Sequence, residues 1–509
     1  MTTDPRLADA FARLPDYLGS HVLVSLTALA LGLGISLPLA IAASRRPVLR
    51  GVLLGAASVV QTIPGLALLA LFYPLLLALS AVSERILGAG FSALGFLPSV
   101  LALAMYSMLP VLRNTVTGLN ALDQRLRDAA RVIGMTPKQS LREIELPLAL
   151  PVIMAGIRTS AVWVIGTATL ATPIGQTSLG NYIFTGLQTQ NWIFVVFGCI
   201  AAAALALVVD QLLALIQAGI ERQSRVRIMT GVLGLAAVTL AALAPGITHA
   251  RATYLIGAKT FTEQYVLAAL IKDRLQAQGL SASQRQGLGS NVLFDALASG
   301  DIDVAVDYSG TLWANRMQRS DVLPRADVLR ELSLWLAKTH GIRMLYALAM
   351  SRKKADALGI RSIADLAAHA GGLTIAGDYE FFARPEWDAL RKAYGLQFRS
   401  TRQMQPEFMY PAVAGGEVDV ISAYTSDGQI AKLDLFLLDD PRHAIPPYDA
   451  ILLLSPRRAN EDKLIAALTP LIGAIPVDLM RQANARAASG NTSADEVARW
   501  LANEIAKRR

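Results

Sequence analysis

The 509-residue chain has one cysteine, Cys199, which excludes an internal disulfide and any multi-cysteine metal or redox motif. It falls inside an apolar run, where a free thiol is expected to act as a simple packing residue. The five histidines are scattered and lack the spacing of metal ligands, which leaves metal catalysis without support. No Gly-x-x-x-x-Gly-Lys-Ser/Thr sequence occurs, so the chain lacks that phosphate-binding loop. It also lacks a Gly-x-Ser-x-Gly elbow and a metal-ligand cluster, and an enzyme reading finds no machinery. Charge is scarce: only 17% of residues are charged, and 159–209 contain no Asp, Glu, Lys or Arg at all.

What replaces charge is apolar mass, 53% of the chain, with a mean hydropathy of +0.42. That balance excludes an ordinary soluble protein and a disordered one, and requires membrane spans. The stretch after Arg251 has the charge density of a water-soluble protein, so a boundary is expected near residue 250. The net charge of +8 does not point to nucleic acid, because the basic residues of the first half sit in short loops and form no stripe with interleaved aromatics.

A bilayer core of about 30 Å needs roughly 20 apolar residues per helix. Six segments qualify, at 21–43, 51–79, 97–115, 150–172, 191–219 and 228–247, with Pro64, Pro74, Pro98 and Pro110 predicting kinks or blurred ends. Loops 44–50, 113–146 and 221–227 hold twelve Lys and Arg, whereas 1–20, 80–96 and 173–190 hold only Arg6, Arg13 and Arg85. By the positive-inside rule the first set is cytoplasmic. Residues 1–20 are then an external segment, six crossings end outside, and the half after 250 is exported. Nothing at the N-terminus resembles a cleaved secretory signal. The segment 228–247, followed by Thr248-His249-Ala250, reads as a retained anchor, with an internal cleavable signal as the alternative. Asp210, a carboxylate in the fifth span, is a pore residue, a packing residue, or simply close to the cytoplasmic end.

The long cytoplasmic loop carries Asp128-Ala129-Ala130-Arg131-Val132-Ile133-Gly134, then nine residues, then Ile144-Glu145-Leu146-Pro147. Small Ala129 and Ala130 suit a closely packed short helix, Gly134 a sharp turn, and Pro147 the first turn of the next helix. The pattern resembles the Glu-Ala-Ala loop of binding-protein-dependent ABC importer permeases, with Asp128 in place of the usual Glu. The resemblance covers about 21–220, including Gln61-Thr62-Ile63-Pro64-Gly65 and Leu109-Pro110-Val111-Leu112-Arg113-Asn114-Thr115. It implies a type I importer permease whose loop 128–147 couples to an ATPase through Asp128, Ala129, Ala130, Gly134, Ile144, Leu146 and Pro147. The ATPase is then a separate chain that binds ATP and Mg, with no cofactor on this one. A second copy of this chain completes the pore as a homodimer, in contact with membrane lipid.

After Thr253, short apolar runs at 254–257, 302–306, 373–376 and 418–421 alternate with helix-length segments at 263–278, 290–299 and 386–394. This predicts an α/β architecture with mainly parallel sheets, long enough for two lobes, the second at roughly 354–440. Ligands in such folds bind at the carboxyl ends of strands. Those places hold Gly257-Ala258-Lys259-Thr260-Phe261-Thr262-Glu263-Gln264, Asp307-Tyr308-Ser309-Gly310-Thr311 and Ser422-Ala423-Tyr424-Thr425-Ser426-Asp427.

These motifs resemble the type II, two-lobed substrate-binding proteins of glycine betaine, carnitine and choline importers over 253–509. The resemblance implies an aromatic cage of Tyr308 and Tyr346 from one lobe, Tyr424 from the other and Tyr448 near the return crossing. Lys259 and Thr311 fall on polar contact positions and Arg384 on the cationic one. Arg343-Met344-Leu345-Tyr346 departs from the polar sequence usual before that tyrosine. A quaternary ammonium has no proton to donate, so ring faces suit it, each contact contributing about 0.5–2 kcal/mol. A carboxylate at its other end would meet Lys259 and Arg384. The expected function is a fused permease and binding subunit of an importer in the cell (inner) membrane, for a quaternary ammonium osmolyte such as glycine betaine or choline. The alternatives are ergothioneine or another betaine on the same architecture and, in a different class, a membrane receptor with a ligand-binding ectodomain. The short cytoplasmic loops hold no signalling domain, which counts against the receptor.

Overall fold

The computed structural model describes residues 5–87, 91–188, 191–248, 253–313, 317, 327–329, 331–332, 339–344, 346–378, 381–383, 385–424, 429–430, 433–442, 444, 448–488 and 492–508. They form two compact units, a helical one made largely of residues 10–250 and an α/β one made largely of 251–509.

In the helical unit, α1 (Pro5–Ser44) is followed by α2 (Pro47–Thr62), α3 (Gly65–Leu87), α4 (Phe96–Asn120), α5 (Gln124–Val132), α6 (Pro137–Ser140), a π-turn at Leu141–Glu145, α7 (Leu146–Ala168), α8 (Gly180–Gln188), α9 (Trp192–Glu221) and α10 (Arg225–Thr248). Among the described residues six helices are long and apolar enough to cross a membrane: Arg6–Ser44, Gly65–Leu87, Phe96–Asn120, Pro137–Ile174, Trp192–Glu221 and Arg225–Ala244. Two expectations need correction. The described part of segment 1–20 is not a separate piece, because α1 runs through residues 5–20 without interruption. The continuous span expected at 51–79 is broken between α2 and α3. Pro64 has no N–H to continue the ladder, and the carbonyl of Ile63 is taken instead by the Tyr106 hydroxyl of α4. A broken helix at membrane depth survives because a neighbouring helix satisfies the freed backbone group.

Helices α4 and α7 pack closely where Gly156 faces α4. A Cβ there would lie 2.7 Å from the Asn114 Cβ and 2.8 Å from the Pro110 carbonyl oxygen, so a small residue is required at this crossing. Cys199 is exposed on α9, a correction to its expected packing role; in an apolar span such a position suits a lipid-facing side.

Asp210 is also resolved. Arg158 of α7 grips it with two parallel bonds, Nε to Oδ1 at 3.0 Å and Nη2 to Oδ2 at 2.9 Å, while Nη1 donates to Gln217 at 3.1 Å. Asp210 lies eleven residues, roughly 16 Å of helix rise, before the end of α9 at Glu221. The pair therefore stands away from the end of α9 and joins it to α7, which fits a packing role.

The α/β unit holds two five-stranded sheets. The first has the order β2-β1-β3-β10-β4 and the second β7-β6-β8-β5-β9. Here β1 is Tyr254–Lys259, β2 Ala282–Leu288, β3 Val304–Tyr308, β4 Thr339–Met344, β5 Tyr346–Ser351, β6 Thr374–Gly377, β7 Ser400–Gln403, β8 Val420–Tyr424, β9 Leu435–Leu438 and β10 Tyr448–Leu454. Both sheets are mainly parallel as expected, four of the five strands in each pointing the same way, with one reversed strand that makes them mixed. In the first, β10 runs antiparallel to β3 and β4, and in the second β5 runs antiparallel to β8 and β9. The cause is topological: a strand that arrives from, or returns to, the other lobe enters its sheet from the crossing side and points the opposite way. Because β5 belongs to the second sheet, that lobe begins before residue 354. Helices α11 (Thr262–Ala277) and α12 (Ser290–Ser299) follow β1 and β2, and the C-terminal helices 477–488 and 494–507 return to cover α11 in the first lobe's core.

Candidate functional site

The crossing edge of each sheet gathers the residues singled out from sequence. Lys259 ends β1, Tyr308 ends β3, and Tyr448 opens β10 opposite Met344, the last residue of β4. Two residues further on, Tyr346 opens β5 directly across from Tyr424, the last residue of β8. Tyr346 thus belongs to the second lobe with Tyr424, a correction to its expected placement beside Tyr308. The sequence interval hid this, because the chain changes sheets between Met344 and Tyr346. Thr311 closes the single helical turn Ser309–Thr311 after β3 and is buried. That turn is fastened to β10, where the Asp449 N–H donates to the Ser309 hydroxyl at 2.8 Å. For Tyr346, Tyr424 and Tyr448 the backbone is described and the side chains are not; Arg384 lies outside the described residues.

Beneath this edge lies a buried polar network. The Lys259 ammonium is 2.5 Å from Asp307 Oδ1, with both side chains no more than 3% exposed, and stands 5.4 Å from the centre of the Tyr308 ring. An ammonium carries three donors, and among the described residues Asp307 takes one. The Tyr308 hydroxyl donates to Glu263 at 3.0 Å and accepts from Gln264 at 2.9 Å. Glu263 in turn accepts from Asn484 at 2.8 Å. Burial, then the negative charge of Glu263, push the Tyr308 phenol well above its ordinary pKa, so it stays a neutral donor.

Asp307, Glu263, Gln264 and Asn484 were not anticipated as functional residues. Three of them stand inside the quoted motifs, whereas Asn484 comes from a helix more than two hundred residues away and carries no local signal. The pairing changes the expected chemistry. The charge of Lys259 is balanced by Asp307, so its pull on a ligand carboxylate is weaker than that of a lone ammonium.

The cytoplasmic loop forms a second site. Asp123 caps α5 by accepting the Arg125 N–H at 2.9 Å, and α5 ends in a turn at Gly134 with φ +85°, where only glycine is free of strain. Ala130 is buried, whereas Ala129 and Asp128 are exposed, so one of the two alanines serves close packing. Gly134 and Pro147 are exposed, and Ile144 and Leu146 half-buried. The tip presents Val132 and Ile133, 86% and 75% exposed, an apolar pair at a polar surface that suits a protein partner. Glu145, passed over in the sequence, is buried where α7 begins and meets Arg45, Arg127 and Ser140.

Comparison with known proteins follows the same division. Residues 32–225 match the family described as the binding-protein-dependent transport system inner membrane component, and residues 252–503 match the substrate-binding domain of the ABC-type glycine betaine transport system. The Helicobacter pylori protein named ergothioneine transport permease/ergothioneine binding protein EgtU is 27% identical over 429 residues, 80% of this chain and 74% of that protein. The Bacillus subtilis choline transport system permease protein OpuBB is 40% identical over 207 residues, 40% of this chain and 88% of that protein. A crystal structure of a glycine betaine/carnitine/choline ABC transporter aligns with 22% identity and a TM-score of 0.43, over 49% of this chain and 98% of that one.

Proposed function

From the membership of this chain in the binding-protein-dependent importer permeases, with a substrate-binding domain of the glycine betaine type in the same polypeptide, we propose that it takes up a quaternary ammonium osmolyte such as glycine betaine or choline. The chain is a multi-pass membrane protein whose binding domain is extracytoplasmic. ATP and Mg act on a separate ATPase chain that docks on the loop 128–147, and two copies of this chain, set in lipid, build the pore.

The observation that carries the ligand reading is the strand register. It aligns Tyr346 with Tyr424 and Tyr448 with Met344 at the edges where the chain crosses between sheets, a placement that suits an aromatic cage closing on a cation. Tyr308 and Lys259 form the floor of the first lobe, Thr311 adds a hydroxyl beside them, and Arg384 supplies the positive charge for a carboxylate. Closure of the lobes would dehydrate the ligand and strengthen each of these contacts.

One observation favours a second ligand. The H. pylori relative matches this chain across both halves and is named for ergothioneine, a betaine that the same cage chemistry would accept. Calorimetric titration of the full-length chain in detergent with glycine betaine, choline, carnitine, ergothioneine and methionine separates the readings. Tight binding of one of the first four names the substrate, and binding of methionine alone contradicts the quaternary ammonium assignment.

A further inference from the structure

Glu145 is a buried carboxylate at the foot of a mostly exposed cytoplasmic loop. A charge in that position is tolerated only when donors surround it, and here they come from separate elements. Arg45, just beyond α1, reaches Oε1 at 3.1 Å; Arg127 of α5 reaches Oε2 at 3.2 Å; and the Ser140 hydroxyl of α6 reaches Oε1 at 3.1 Å. Arg127 also donates to the Leu119 carbonyl near the end of α4. Glu145 itself ends the π-turn that leads directly into α7. The Glu145 carboxylate therefore fastens the short helix that carries Ala129, Ala130 and Val132 to the ends of α1 and α7, and the Arg127 that it holds ties the same helix to the end of α4. Short α5 has mostly exposed residues and little core of its own to fix its angle, so these ionic ties set its orientation.

We propose that Glu145 is the positioning residue for coupling: through Arg127 and Arg45 it makes the ATPase-docking helix move as one body with the ends of α1, α4 and α7. A displacement at Val132 and Ile133 then reaches α1 and α7 directly, as well as α4, the helix that residues 121–123 join to α5. The coupling role rests on the importer reading given above; the fastening of α5 does not.

The test uses the full-length chain and two readouts. Hydrogen exchange of the 123–140 amides, measured without any partner, should be at least tenfold faster in Glu145→Gln than in the native chain. The amides of the binding domain should be unchanged, as should its affinity for glycine betaine as probe. In proteoliposomes with the ATPase subunit, the ratio of betaine-stimulated to basal ATP hydrolysis should fall at least threefold. Arg45→Gln, which removes one tie at a partly exposed position, should give an intermediate loss in both readouts, and this milder variant keeps the test decisive if Glu145→Gln does not fold. Unchanged exchange in 123–140 overturns the proposal, as does faster exchange with an unchanged stimulation ratio. A native chain whose ATP hydrolysis ignores every quaternary ammonium contradicts the importer reading instead, and the exchange measurement still decides whether Glu145 holds α5.

Discussion

The Lys259 ammonium lies 2.5 Å from the Asp307 carboxylate inside the first lobe, and neither side chain is more than 3% exposed. Breaking such a pair leaves an uncompensated buried charge. Asp307→Asn should therefore destabilise the binding domain by about 3–5 kcal/mol, and Lys259→Met with Asp307→Leu by considerably less, because the apolar pair leaves no stranded charge. Denaturant unfolding followed by tryptophan fluorescence measures both. A loss in the double variant equal to the sum of the losses from Lys259→Met and Asp307→Leu measured singly would show that the pair is not coupled.

Tyr308 separates ring from hydroxyl. Tyr308→Phe keeps the ring but takes away the donor to Glu263 Oε1, which should cost about 1–3 kcal/mol while changing glycine betaine affinity less than threefold; Tyr308→Ala should abolish binding. The phenol's raised pKa also sets an alkaline limit. A group whose folded pKa is raised contributes stability that is fully present below its unfolded value, near 10 for tyrosine, and lost as pH rises through the folded value. Absorbance at 295 nm should show Tyr308 ionising only as the domain unfolds. Ionisation near pH 10 with the fold intact would contradict the buried hydroxyl network.

In the membrane, Asp210→Asn should leave the Arg158 guanidinium without its counter-charge inside the span, at a cost of roughly 2.5–3.5 kcal/mol if it sits at the bilayer centre. The yield of folded protein and transport should both fall. The exchange Arg158→Asp with Asp210→Arg should restore a substantial part of each. No rescue by the exchange would mean that one of the two charges acts alone.

At the cytoplasmic tip, Val132→Asp or Ile133→Asp should each weaken co-purification of the ATPase about tenfold or more. Burying one such side chain at an interface contributes about 1.5–3 kcal/mol. Substitution at Lys138, which is exposed on α6, should have little effect. Retained co-purification in the Asp variants would place the docking surface elsewhere.

Much of this was legible in the sequence because it is periodic or local. Apolar runs show spans, Lys and Arg show their sidedness, and Gly134 and the Asp-Tyr-Ser-Gly-Thr turn sit where their backbone chemistry requires. What was not legible depends on distant partners. The Pro64 break was expected as a kink, yet its completeness follows from the Tyr106 hydroxyl, 43 residues from the Ile63 carbonyl that it binds. Asp210 had three readings until Arg158 met it across 52 residues. Strand direction in the mixed sheets follows from where the chain changes lobes, and nothing in the composition of Met344-Leu345-Tyr346 announces that change. Tyr346 therefore stands in the second lobe, where its register with Tyr424 still puts it at the crossing edge.

The most direct test of the account is accumulation of labelled glycine betaine and choline, in separate runs, by proteoliposomes holding this chain with its ATPase. The account predicts ATP-dependent accumulation of at least one above the outside concentration, abolished by Tyr424→Ala. Accumulation of methionine, with no transport of any quaternary ammonium, would contradict it.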